Sequence, residues 1–219
     1  MAKEFMGKDF LLDNEPAIKM FEAADKMPIF DWHCHLSPKE IYENVQPEDI
    51  AWLWLAGDHY KWRAMRSCGV DEKYITGDAS GYEKFKAFAK TVPYLIGNPL
   101  YHWSQVELKE FFNCEIEING DNAEIIWNWC NEYIKLNKIT PQSLIESSNV
   151  THLFTTNEVF DDLSTFEKIK LKDYKFKVIP AFRADKIMNV EAKGYYAQYL
   201  ETMSEKEAFA KILTGTREH

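Results

Sequence analysis

Positive charge is what this sequence has least of. Its 26 lysines and arginines are outnumbered by 35 aspartates and glutamates, which leaves a formal net charge of −9 and a pI near 5.2. Nucleic-acid binders normally carry a clustered basic patch. Here the cations are few and interleaved with acids, so that class is set aside. No apolar run approaches the roughly 20 residues of a membrane-spanning helix. The opening Met1-Ala-Lys-Glu-Phe5 has no apolar core of the signal-peptide kind, and a cytoplasmic location is expected. The four cysteines, Cys34, Cys68, Cys114 and Cys130, lie far apart with no CxxC pair. That spacing excludes a zinc ribbon and argues against a disulfide framework at this size. Internal repeats, low-complexity tracts and flexible linkers are also missing.

What is present is ordinary globular material, 46% hydrophobic and 28% charged, in 219 residues. Length allows one domain or two small ones. Aromatics are abundant at 15%, with 7 Trp, 11 Tyr and 14 Phe. They supply large apolar area with polar handles, suited to a core or to a sugar-facing pocket.

Residues 1–27 read as an entry arm with a short helix, Glu15 to Lys26. Residues 28–46 read as a first β/α unit. The run Pro28-Ile-Phe-Asp-Trp-His-Cys-His35 is β-rich, and Ser37-Pro-Lys-Glu40 is a capping box with proline at the first helical position. Residues 47–148 are helical almost throughout. Segments run from Pro47 to Leu55, His59 to Arg66, Tyr82 to Val92, Pro99 to Phe112 and Asp121 to Leu136, with Gly69 placed to end the second. Over 149–219 alternation resumes: a strand from Asn149 to Thr156, a helix from Asp161 to Ile169, a strand from Phe176 to Arg183, and a helix from Gly194 to Leu213. The class is α/β, but three strands cannot close a barrel, which needs eight and typically about 250 residues.

Asp31, His33 and His35 are spaced by two. Alternate strand residues share a face, so the two imidazoles should point one way at a carboxyl-terminal strand end, where β/α folds place their chemistry. Neutral imidazole suits zinc and its neighbours. The alternative is a pair of hydrogen-bonded core histidines. Arg63 and Arg66 stand three apart on one helix face and could clamp an anion, or could be a solvated face with ion pairs. His102 lies at a helix start among aromatics, where capping and core packing would also explain it. Arg183 ends a buried strand and needs an anionic partner, either a ligand or an ion pair with Asp185 or another acid.

Taken together, these segments resemble a known family. Phe30-Asp-Trp-His-Cys-His-Leu-Ser-Pro38 resembles the opening of amidohydrolase-superfamily barrels. Gly57-Asp-His-Tyr-Lys-Trp-Arg-Ala-Met-Arg66, Gly97-Asn-Pro-Leu-Tyr-His-Trp103, Thr155-Thr-Asn-Glu158 with Asp161-Asp-Leu163, and Pro180-Ala-Phe-Arg-Ala-Asp-Lys186 are similar to uronate (glucuronate) isomerases. The chain departs from the family pattern at Asn157-Glu158 and at Ala184. The resemblance implies the amino-terminal part of a (β/α)8 TIM-type barrel with a large helical insertion after the first strand, its later strands carrying a further histidine and a metal-binding aspartate. It implies aldose–ketose isomerisation of uronic acids, in glucuronate catabolism. His33 and His35 would hold a divalent metal, zinc with iron or manganese as alternatives. Tyr60 with His59 would handle the proton, and Arg183, Arg63 and His102 would bind substrate. The implied partner is a small uronate, with no nucleic acid or membrane, and a homo-oligomer is left open. Two rivals stand beside this reading: a metal-dependent hydrolase of the same superfamily, and a non-catalytic fragment. An incomplete barrel is expected to be poorly active alone.

Overall fold

Local signals account for most element starts. In the computed structural model, which describes residues 6–7, 9–158, 161–188 and 210, the chain runs α1 (Glu15–Ala24), β1 (Ile29–Cys34), α2 (Pro38–Glu43), α3 (Ile50–Leu55), α4 (His59–Ser67) and α5 (Gly81–Thr91). It continues through α6 (Pro99–Phe112), α7 (Ala123–Asn137), α8 (Pro141–Ser147), β2 (Val150–Thr155), α9 (Ser164–Lys170), β3 (Lys177–Pro180) and α10 (Asp185–Met188). Ser37 and Ser80 both head full capping boxes, with Glu40 and Glu83 reaching back to the cap amides. Asn14, Asp49, Asp58 and Asn98 cap α1, α3, α4 and α6 through side-chain oxygens. Gly69 follows α4 at φ 76°, a left-handed turn that glycine adopts without strain. The helix expected from Gly194 to Leu213 lies outside the described residues.

The chain divides into two compact units, residues 1–26 with 45–140 and residues 27–44 with 141–219. The first is helical. Its core is aromatic: Phe85 and Phe88 are fully buried and Phe112 nearly so. The Trp54 ring meets Phe88 edge-on at 6.0 Å, and Phe85 lies 5.8 Å from Trp127. Each fully buried aromatic or aliphatic side chain is worth about 1.5–3 kcal/mol, so this unit closes on itself. Side-chain bonds brace the turns. The Asn131 carbonyl accepts from Ile50 N at 2.9 Å, Gln105 bonds both Ile116 O and Ile118 N, and Trp129 Nε1 donates to Phe112 O.

The second unit holds a parallel three-stranded sheet in the order β1-β2-β3. One face carries a core of Ile41, Leu153 and Phe176, with Cys34, Leu36, Ile145, Val150, Tyr174 and Val178 packed against it. Ile41 comes from α2 and Ile145 from α8, so helices cover this face. Phe30, His152 and Phe154 share the other face, with the Phe30 ring 5.0 Å from His152 and 5.3 Å from Phe154. Mixed α/β with three parallel strands is therefore the observed class.

Several boundaries differ from the sequence expectation. The helix expected from Asp161 begins at Ser164, because Asp161 and Asp162 are spent on the preceding turn. The helix expected from Pro47 begins at Ile50, since Asp49 caps it. The last strand is only Lys177–Pro180, and pairing beyond it is reduced to a bond from Ala181 N to Thr155 O and an isolated bridge between Glu158 and Arg183.

Candidate functional site

The carboxyl-terminal end of β1 departs from regular pairing, and that departure arranges the histidines. Asp31 pairs with Leu153, but Cys34 pairs with Thr155, so β1 carries one extra residue over this stretch. Such bulges re-aim side chains and concentrate next to active sites. Cys34 takes the slot on the helix-covered face, where burial pushes its thiol pKa up. His33 and His35, either side of it, emerge together on the other face. Their Nε2 atoms lie 3.1 Å apart and both residues are exposed. Trp32 is 76% exposed and lies beside His33, ring centres 5.5 Å apart. Asp31 is not part of the pair's face. Its carboxylate instead accepts from His33 N at 3.2 Å.

The donor set suits a metal. Two nitrogens about 2.0–2.1 Å from one ion stand roughly 2.9–3.4 Å apart at octahedral to tetrahedral angles, and the 3.1 Å separation falls inside that range. As a hydrogen bond, the same contact needs one ring protonated at Nε2 and the other bare. Two ligands are fewer than a catalytic centre uses. Among the described residues no group of three or more His, Cys, Asp and Glu side chains could hold an ion.

Arg183 belongs to the same unit, just past β3. Its backbone forms an isolated parallel bridge with Glu158, extending the β2–β3 side of the sheet. Its guanidinium is shared between Glu158 and Asp185, each 3.4 Å away. The ion pair foreseen with Asp185 or another acid is thus present, and a ligand would compete with two carboxylates. Glu158 Oε2 is buried without a hydrogen-bond partner. The turn after β2 braces itself: Thr155 Oγ1 donates to Asn157 Oδ1 at 2.6 Å, and Asp161 Oδ2 accepts from Glu158 N and Asn157 Nδ2. Thr155, Asn157 and Asp161 were visible as a sequence block, but nothing in their spacing announced this bracing.

The remaining candidates lie in the helical unit. His59 and Tyr60 open α4, and both are exposed. His59 stacks on Trp62 at 4.8 Å, and the Arg63 guanidinium lies 5.8 Å from the Tyr60 ring centre. Arg63 has no carboxylate partner among the described residues, whereas Arg66 is held by both oxygens of Glu72. A clamp made of Arg63 and Arg66 together is therefore not the arrangement found. His102, on α6, packs between Phe10 and Tyr101 at 5.5 and 5.4 Å.

A buried ionic group that sequence reasoning missed holds the start of α4. Lys61 is 6% exposed, with its ammonium 2.9 Å from Asp58, 3.9 Å from Glu107 and 5.5 Å from the Trp54 ring. Burial pushes the Asp58 carboxyl up, but the Lys61 ammonium and the amides of Lys61 and Tyr60 outweigh it and hold its pKa low. Burial pushes Glu107 up, against the pull of Lys61. A lysine at i+3 from a helix cap is a weak sequence signal, because such lysines are usually solvated.

The glucuronate isomerase family model matches residues 2–215. The chain belongs to the glucuronate isomerase family. It is 50% identical over 204 residues to a uronate isomerase of Lachnospira eligens, covering 92% of this chain and 43% of that protein. A uronate isomerase of Clostridium perfringens is 48% identical over 206 residues, covering 93% and 44%. The crystal structure of uronate isomerase from Thermotoga maritima superposes with a TM-score of 0.85 at 38% identity, over 90% of this chain and 43% of that one. The chain thus spans less than half the length of these relatives. Among the described residues, no helix is long and apolar enough to cross a membrane.

Proposed function

We propose that residues 28–46 and 149–219 form the amino-terminal part of a (β/α)8 barrel, that residues 47–148 are an insertion after its first strand, and that the complete barrel isomerises uronic acids. The reactions are D-glucuronate to D-fructuronate and D-galacturonate to D-tagaturonate. The carrying observation is the convergence of His33 and His35 at the carboxyl-terminal end of β1, in a chain of this family. Barrel enzymes place their reacting groups at that end.

Aldose–ketose interconversion moves a proton between C2 and C1 through an enediol. It needs a proton carrier, a grip on the carboxylate and charge stabilisation at the developing oxyanion. His33 and His35 would hold a divalent metal, zinc with iron or manganese as alternatives, which when bound would supply Lewis acidity toward a sugar oxygen. In the helical unit, Tyr60 carries the proton between the two carbons, with His59 beside it. Arg63, free of carboxylates among the described residues, attracts the uronate anion against the chain's overall negative charge. His102 donates to a sugar oxygen. In the sheet unit, Arg183 contributes to substrate binding to the extent that substrate displaces Glu158 or Asp185.

The incomplete ligand set favours a second statement: this chain alone turns over poorly or not at all. The test is interconversion of glucuronate and fructuronate by the purified chain with zinc or manganese, beside a cobalt(II) titration followed by absorbance. Expected are weak cobalt binding, lost in His33→Ala and in His35→Ala, and turnover far below that of a full-length relative. Cobalt spectra identical in both variants would remove the histidines from the site. Hydrolysis of amides or lactones without isomerisation would favour the hydrolase reading.

A further inference from the structure

The helical unit holds a cleft that takes in none of the residues proposed above for isomerisation. Its volume is about 570 Å³, within the range of small-molecule sites. Much of the lining is a single face of α5, where Tyr82, Lys86 and Lys90 follow one another at steps of four. Ala87, midway along that face, is the short side chain that leaves room. The rest comes from the chain leaving α4, between Cys68 and Tyr74, and from Tyr94 beyond α5. Tyr94 is 80% exposed.

The charges around this cleft are unevenly committed. Glu83 accepts from Ser80 N and Ser80 Oγ at the cap of α5, and Asp71 accepts from Lys73 N. Lys86 and Lys90 have no carboxylate at ion-pair distance among the described residues. The Lys86 ammonium lies 5.7 Å from the Tyr82 ring centre instead. The Lys90 stem is laid against Gly120, where an added β-carbon would stand 2.6 Å from Lys90 Cγ. The absence of a side chain at Gly120 thus gives that stem its place. Tyrosine rings and unneutralised ammonium groups therefore stand together on one helix face. Ring faces receive flat apolar bodies, and ammonium groups receive anions.

We propose that this cleft binds a small flat anion, an aromatic or heteroaromatic ring carrying a carboxylate or a phosphate. The ring lies against the tyrosines and the anion against Lys86 and Lys90. Exposed lysines alone hold a bare anion weakly, but ring and anion on one molecule share a single cost of association. Both carboxylates are already engaged by amides, which favours an aromatic ring over a sugar, whose hydroxyls would need those acceptors.

The test is calorimetry and ligand-observed NMR on this chain with adenosine monophosphate and naphthoate, beside adenosine, inorganic phosphate and glucuronate. Expected is binding of at least one ring anion, which tells phosphate from carboxylate, with adenosine, phosphate and glucuronate at least tenfold weaker. Lys86→Gln and Lys90→Gln should each weaken the ring anion about fivefold. Lys84→Gln makes the same charge change on α5 outside the cleft and should not. Cys68 reports the place: it is exposed, whereas Cys34 is half-buried and Cys114 and Cys130 are buried. Iodoacetamide should therefore label Cys68 first, and the bound ring anion should slow that labelling. Four results would overturn the proposal: no binding of either ring anion at millimolar concentration, equal weakening by Lys84→Gln, phosphate or glucuronate bound as tightly as the ring anions, or binding that leaves Cys68 labelling unchanged. Isomerase turnover enters none of these readouts, so this site and the proposed reaction stand or fall separately.

Discussion

The two units spend the same residue types in opposite ways. In the helical unit Phe85, Phe88 and Phe112 are 0–1% exposed. In the sheet unit Phe30, Trp32 and Phe182 are at least half exposed. The helical unit obtains its apolar closure from its own amphipathic faces, because α3, α5 and α7 each offer an apolar stripe to the others. A parallel sheet has two apolar faces, and among the described residues helices cover only one. An aromatic-rich composition therefore says nothing by itself about whether a core is complete.

The strongest way to break this comparison is to truncate one aromatic in each unit. Phe88→Ala removes a fully buried ring and should cost about 3–5 kcal/mol in urea unfolding. Trp32→Ala should stay within about 0.5 kcal/mol in the free chain, as exposed substitutions do. Equal losses would mean that the sheet face is already covered.

Next in size is the buried cation. Lys61→Met leaves Asp58 and Glu107 without their ammonium. Breaking a fully buried pair costs about 3–5 kcal/mol. Both acids here keep about a third of their side-chain surface in solvent, so roughly 1–3 kcal/mol is expected. Loss of amide-exchange protection should concentrate at Tyr60 and Lys61, whose N–H groups Asp58 caps.

The smallest effect is a pH dependence with two opposing parts. The Asp58 pKa is lower folded than unfolded, so its contribution is present above its unfolded value of about 3.9 and is lost as pH falls through the lower folded value. Glu107 is raised, so the folded state holds its proton longer, and that part of the stability falls as pH rises from about 4.3. Unfolding midpoints between pH 3 and 6 should therefore show acid sensitivity in wild type. Glu107→Gln should remove the loss on the rising side, and Asp58→Asn the loss on the falling side.

Much of this was written locally. Pro99–Phe112 has the expected bounds, and the Ser37 capping box forms as its four residues dictate. The three parallel strands sit where β-rich runs alternate with helical ones. Illegible features depended on distant partners. Glu72 takes Arg66 out of the anion clamp, and Glu107 reaches Lys61 from another helix. Glu158 meets Arg183 only because β2 and β3 are neighbours. Spacing by two brought out the histidine pair, yet it grouped Asp31 with them, because the extra residue in β1 has no sequence signature.

That extra residue acts as a phase shifter. Counting straight through from Asp31, which faces with Leu153, the odd positions 33 and 35 would lie under the helices, and Cys34 would face outward. The inserted step swaps the parity, so a small thiol plugs the core and two imidazoles look out. The chemistry at this strand end is thus keyed to a count rather than to any one contact. Deleting Trp32 would remove the extra residue and keep Cys34 inward and both imidazoles outward by plain alternation, whereas one residue added beyond an unchanged bulge would exchange their roles, a frame error written in three dimensions.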